Sequence, residues 1–207
     1  MSVAARHSAV LVAVSDTHGR EEHRLHGRTR EAVRAADAVV HAGDFYTGSV
    51  LDDFEAVAEP LYAVAGNNAD STVRSRLPES RVVGYEGVTF AVRHRARSPT
   101  ELALFGREHD ADAVVYGHSH APGVETADDL VLVNPGSHAQ PRGNRAAHAE
   151  FDPRPDGGLD GRLVTVDGEP FAEFTVGVDD LDPDLFLLAV TTRVESGHEW
   201  KLDTSGN

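Results

Sequence analysis

The sequence predicts an α/β fold in which parallel strands are joined by helices. Three observations carry that expectation. Short apolar runs rich in Val and Ala recur along the chain, each too short for a helix and closed by Gly, Asp or Asn. Segments with apolar residues at helical intervals lie between the early ones. The runs do not alternate apolar with polar residues, so both strand faces are expected to be buried, as in a sheet covered by helices.

Ala9–Val14 is the first strand, and it ends in Ser15-Asp16-Thr17-His18-Gly19. The polar stretch Arg20–Arg28 follows, with His23 and His26 expected on a solvated loop or helix start. Thr29–Ala36 carries Ala32, Val33 and Ala36 at helical spacing. Ala38–His41 is a second strand, closing on Gly43-Asp44. Ser49–Ala58 is an amphipathic helix that Pro60 ends. Leu61–Ala65 is a third strand, closing on Gly66-Asn67-Asn68. Arg81–Tyr85 and Val88–Val92 flank Glu86-Gly87 as a hairpin, and the second run leads to Arg93-His94. Ser98 is expected to cap a helix, with Pro99 in its first turn and Glu101 completing a capping box.

Ala113–Tyr116 ends in Gly117-His118-Ser119-His120, and Leu130–Val133 ends in Asn134-Pro135-Gly136-Ser137. Asp152–Gly161, rich in Pro, Gly and Asp, reads as a surface loop. Arg162–Val166 and Pro170–Val176 flank Asp167-Gly168 as a second hairpin. Residues 1–176 read as one domain and 177–207 as an acidic extension. In that extension Asp182-Pro183 starts a helix or Leu185–Val194 forms an edge strand.

A chain of 207 residues suits one well-buried core. It has no cysteine, which excludes disulfides and thiolate chemistry. No apolar run reaches membrane-spanning length, and Met1–Ser8 does not read as a signal peptide. A cytoplasmic location without a membrane partner is therefore expected. The formal net charge is −15, and Lys201 is the only lysine. That balance opposes a nucleic-acid-binding face. It looks like the composition of salt-loving microbes, where screening mutes self-repulsion.

The strand ends decide the functional reading. Asp16 and His18, Asp44, Asn67, His94, then His118 and His120 each follow a predicted strand. Parallel strands bring their carboxyl ends to one edge of a sheet, so these side chains can converge there. A single Gly-Asp turn or lone His is ordinarily structural, but here each position would need its own explanation. Imidazole and carboxylate without thiol suit manganese, iron, zinc, nickel or cobalt. The donors are too many for one tetrahedral site and divide into two if one carboxylate bridges. Two cations about 3.5–4 Å apart clamp an in-line displacement at phosphorus.

Asp16-Thr17-His18, Gly43-Asp44, Gly66-Asn67, His94, Gly117-His118-Ser119-His120 and Asn134-Pro135-Gly136-Ser137 occur in an order that resembles the calcineurin-like metallophosphoesterases. The length is similar to the small single-domain phosphodiesterase branch, and the resemblance runs from Val10 to Val176. It implies a two-sheet β-sandwich flanked by helices in place of one open sheet. It implies that Asp16, His18 and His120 hold one metal, that Asp44 bridges, and that Asn67, His94 and His118 complete the second. Two divalent ions, manganese foremost, and attack by a metal-bridging hydroxide follow from the same resemblance. So do Asn67, Asn68 and His94 as candidate catalytic residues.

Two departures from the family pattern stand out. Asn68 occupies a position where larger relatives carry His and the small branch often carries Cys. An amide can hydrogen-bond a phosphoryl oxygen but is a poor proton donor, so esters with acidic leaving groups are expected. Arg93-His94-Arg95-Ala96 replaces the usual Thr-His-Gly-His and makes the surroundings of His94 more basic. Arg20, Arg95, Arg142 and Arg145 are candidate substrate contacts, because guanidinium matches phosphate geometry. His138 reads as a loop residue. The expected partner is a small phosphoester, and a homo-oligomer is left open. The competing readings are a non-catalytic protein-binding scaffold, as in the retromer-coat relative of this fold, and a nuclease, which the acidity opposes.

Overall fold

Valine-rich strands buried on both faces need a cover on each side. The structure is a computed structural model, and it describes residues 10–177. In chain order the first half comprises β1 (Leu11–Val14), α1 (Gly27–Ala35), β2 (Ala38–His41), α2 (Gly48–Glu55), β3 (Leu61–Ala63) and α3 (Ser71–Arg76). Then come β4 (Ser80–Tyr85), β5 (Val88–Arg93), α4 (Pro99–Arg107), β6 (Ala113–Val115), β7 (Gly123–Ala127) and β8 (Leu130–Asn134). Last are β9 (Ala147–Pro153), β10 (Leu159–Thr165) and β11 (Pro170–Val176).

The strands form two sheets. One has the order β11-β10-β9-β1-β2-β3, the other β4-β5-β6-β8-β7. Within the first, β1, β2 and β3 are parallel, with Leu11 opposite Ala38 and Val39 opposite Leu61. Within the second, β5, β6 and β8 are parallel. This is the two-sheet sandwich flanked by helices, and the parallel βαβ reading holds for β1–β3 and for β5-α4-β6, whereas the parallel β6 and β8 are joined through β7, with no helix between them.

Residue parity along each strand decides the layers. On β1, Leu11 and Ala13 face the second sheet, where they meet Phe90, Val92, Val115 and Val133. Val12 and Val14 face the helices and pack with Val33 of α1, Phe54 of α2 and Val73 of α3. On the far side, Ala91, Val114 and Leu132 meet Leu102 and Phe105 of α4. Apolar burial against both covers is the main stabilising term. It also explains why these strands do not alternate.

Several sequence expectations change. α3, β7 and β9 were not anticipated. The expected loop Asp152–Gly161 is a tight turn, because β9 runs to Pro153 and β10 begins at Leu159. Arg154 and Gly158 close it, with Arg154 N–H donating to the Gly158 carbonyl at 3.1 Å. The third strand ends at Ala63, two residues early. Residues 1–9 and 178–207, including Asp182-Pro183 and Leu185–Val194, lie outside the described residues.

Candidate metal centre

The loops that leave β1, β2 and β6 are bent by unusual backbone. Asp16 (φ 54°), His18 (48°), Asp44 (68°), His118 (72°) and His120 (59°) all occupy the left-handed region. Side chains other than glycine rarely adopt it, and each such residue persists only where its surroundings over-determine it. Here the loops hold one another. Asp16 N–H donates to the Gly43 carbonyl at 3.0 Å, and His18 N–H to the Asp44 carbonyl at 2.9 Å. Gly117 N–H donates to the His94 carbonyl at 2.9 Å. Gly66 and Gly117 are required by close approach: a Cβ would overlap Asp44 Oδ1 at the first and Ser15 Oγ at the second.

The bent loops aim donor atoms at one another. His120 Nε2 lies 3.4 Å from Asp16 Oδ1, and His18 Nε2 lies 3.6 Å from the same oxygen. The two imidazole nitrogens are 3.0 Å apart. Asp44 Oδ2 lies 3.6 Å from His18 Nε2 and 3.4 Å from His94 Nε2. Asn67 Oδ1 is 3.0 Å from His94 Nε2. Two groups could each hold a metal ion, Asp16 with His18 and His120, and Asp16 with Asp44 and His94. Asp16 thus belongs to both, while Asp44 reaches toward His18 and His94.

The chemistry of these donors fits a cation. A carbonyl oxygen only accepts, so His94 Nδ1 donates to Ala42 O at 2.7 Å and His120 Nδ1 donates to Gln140 O. In the neutral rings this leaves the Nε2 lone pairs facing inward. Metal-binding imidazoles are commonly fixed in this way through the other nitrogen. Asp16 Oδ1 is buried and accepts no hydrogen bond. Lone pairs of His94 Nε2, Asn67 Oδ1 and Asp44 Oδ2 would repel unless a proton or a metal sits among them.

The titration shifts follow the same contacts. Burial opposes ionisation of Asp44, but the His94 imidazole and two N–H groups of Asn68 outweigh it and hold the carboxyl well below the usual range. Burial also opposes charge on His94, and the Asp44 carboxylate overrides it and raises the imidazole. Burial lowers His118 and His120.

The other candidates divide. His118 is exposed: its backbone N–H donates to Asp16 Oδ2 at 2.9 Å, while its ring stands edge-on to His94 with centroids 5.4 Å apart, outside both donor groups. Asn68 donates to Asp44 twice, from N–H at 2.9 Å and from Nδ2 at 2.7 Å, so its amide supports the carboxylate instead of facing a phosphoryl oxygen. Arg20 lies over the Tyr46 ring at 4.9 Å, and that ring stands edge-on to His18. Arg95 lines a cleft that His94 shares. Arg142 is close enough to His120 to lower its pKa. Arg145 stacks over Phe171 of β11. His138 lies in the loop after β8, as expected, and is fully buried.

Sequence reasoning missed the residues that brace the donors. His41 is buried, accepts from Gly43 N–H through Nδ1 at 3.1 Å and contacts Thr17 Oγ1 at 2.8 Å, and stacks on Phe45. Ser137 Oγ donates to the Asp16 carbonyl at 2.7 Å. Asn134 Nδ2 donates to the Gly117 carbonyl at 3.2 Å and to Ser119 Oγ at 2.9 Å. The signal for the last two was the Asn134-Pro135-Gly136-Ser137 motif itself. For His41 it was an imidazole at a strand end, two residues before Gly43.

The two-sheet α/β sandwich gathers carboxylates and imidazoles that could hold a metal ion at its strand ends. Residues 10–152 match the calcineurin-like phosphoesterase superfamily domain, and the chain belongs to that superfamily. It is 31% identical over 138 residues to a probable metallophosphoesterase of Methanothermobacter thermautotrophicus, covering 64% of this chain and 79% of that one. A phosphodiesterase of Methanocaldococcus jannaschii is 28% identical over 112 residues, covering 48% and 66%. Among solved structures, Vps29 of Entamoeba histolytica complexed with zinc superposes with a TM-score of 0.65 at 17% identity, covering 80% of this chain and 98% of that one. At that identity the likeness concerns the fold alone. No described helix is long and apolar enough to cross a membrane.

Proposed function

We propose that the protein is a metal-dependent phosphodiesterase acting on small or nucleotide-like phosphate esters, with two divalent cations and manganese foremost. The observation that supports this best is the arrangement of two donor groups around one shared carboxylate, Asp16, with Asp44 Oδ2 reaching toward both His18 and His94. Asp16, His18 and His120 would hold one cation, Asn67 and His94 the other with His118 beside it, and Asp44 would be shared between the two. Such cations supply a water of lowered pKa and neutralise charge on the phosphoryl oxygens.

The chain's own residues orient the donors. Ala42 and Gln140 fix the His94 and His120 rings, and Asn68 fixes Asp44. The Asn68 amide is committed to that task and is a poor acid, so esters whose leaving groups need no protonation are favoured. The test is hydrolysis of bis(p-nitrophenyl) phosphate by manganese-loaded protein. Asp44→Asn should lower kcat/KM by about 100-fold or more; turnover unchanged in that variant would refute the site.

The likeness to Vps29 concerns the fold alone and adds nothing to the scaffold reading. The filled donor set favours an enzyme over it. A nuclease is disfavoured by a net charge of −15, and single- and double-stranded DNA should remain uncut under the same conditions.

A further inference from the structure

In a chain with a net charge of −15, three arginines meet at one cleft beside the candidate metal centre. The cleft has a volume of about 330 Å³, and its walls include Asn67, His94, Arg74, Arg93, Arg95 and a single acid, Glu79. Because His94 is a donor of the second group and Asn67 Oδ1 lies 3.0 Å from its Nε2, the cleft opens onto the place where a scissile phosphate would lie.

The three guanidiniums differ in how they are held. Arg74 donates through Nε to the Ala69 carbonyl at 2.9 Å and through Nη2 to the Asn67 carbonyl at 2.9 Å. Arg93 lies over the Phe105 ring at 4.9 Å and pairs with Glu101 at 3.3 Å. Both are pre-oriented by these contacts, so less side-chain freedom is lost when they meet a ligand. Arg95 is exposed and makes no hydrogen bond or ion pair among the described residues. An isolated solvated arginine would be ordinary. Three that share one cleft, against Glu79 on its wall and Glu101 paired to Arg93, leave a net positive charge there.

We propose that this cleft seats a second phosphoryl group of the substrate, so that the enzyme prefers phosphodiesters carrying a phosphate beyond the one attacked. This rests on the phosphodiesterase reading and names its substrate class. A terminal phosphate presents several oxygens to the planar guanidinium forks, and charge-assisted bonds of that kind are the strong ones. The strongly negative protein repels such a polyanion at long range, so the attraction has to be local, within about a 10 Å screening length.

The test compares thymidine 3′,5′-bisphosphate with thymidine 5′-monophosphate, by calorimetry on the manganese-loaded protein at fixed ionic strength. The bisphosphate should bind about tenfold more tightly or better, and Arg95→Ala should shrink that ratio to about threefold or less. Equal affinities in the unmutated protein, or a ratio untouched by Arg95→Ala, would overturn the proposal. The p-nitrophenyl esters of the same two nucleotides separate this from the parent reading. Failure to cleave either ester counts against the phosphodiesterase, whereas cleavage of both with no preference for the extra phosphate counts against the cleft alone.

Discussion

Asp44 shows how a single side chain ties the site together. Its carboxylate accepts from Asn68 twice and lies near His18 and His94. Residues behind metal ligands commonly change affinity by about 10–100-fold when removed. Asn68→Ala should therefore weaken manganese binding by about tenfold or more in a calorimetric titration; unchanged affinity would show that Asn68 does not hold Asp44. The residues that gather at the strand ends were legible, because each lies within a few positions of the end of an apolar run. The role of Asn68 was not, since its partner lies 24 positions away and only the folded chain brings them together.

His138 gives the clearest pH prediction. It is fully buried and neither ring nitrogen has a hydrogen-bond partner. Burial pushes its pKa down from 6.5 to about 3. The unfolded chain therefore binds a proton between those values and the folded chain does not. Stability is complete above about pH 6.5 and is lost as the pH falls, by roughly 2 kcal/mol at pH 5. His138→Leu should flatten the fall of the unfolding midpoint between pH 7 and pH 5. Parallel curves for the two proteins would contradict this assignment.

At the scale of elements, α4 was read correctly from its start signals. Ser98 Oγ accepts from Glu101 N–H at 3.2 Å, and Glu101 accepts from Arg97 N–H at 2.9 Å. Ser98→Ala should cost about 1 kcal/mol, seen as a fall of roughly 2–4 °C in Tm. No change in the melt would mean the cap is inactive. β9 was missed for a definable reason. His148 and Glu150 break its apolar pattern, yet both are buried. Glu150 accepts from Arg28 of α1 at 2.9 and 3.0 Å and from Arg162 of β10 at 2.6 and 3.1 Å. Its pairing with His148 at 2.9 Å continues to Thr29 at 3.0 Å. An ion network inside a strand reads as surface until its partners, more than a hundred positions away in α1, are known.

At the scale of the whole molecule, helical and strand periods gave the βαβ units but could not say that the strands divide between two sheets. Nothing local separates β3 from β4 as members of different sheets. The family resemblance supplied that division, and the covers over both sheets explain why the strands look alike. The net charge of −15 acts at this scale too. Raising salt from about 0.1 M to 1 M shortens the screening length from ~10 Å to ~3 Å. The unfolding midpoint should rise over that interval; a constant or falling midpoint would show that self-repulsion does not limit stability.

The central claim is that remote strand ends assemble a pocket for a pair of cations. Anomalous scattering from a manganese-soaked crystal tests it most directly. Two peaks about 3.5–4 Å apart are predicted, one contacting Asp16, His18 and His120, the other Asn67 and His94, with Asp44 contacting both. A single peak, or none between Asp16 and Asp44, would contradict the account.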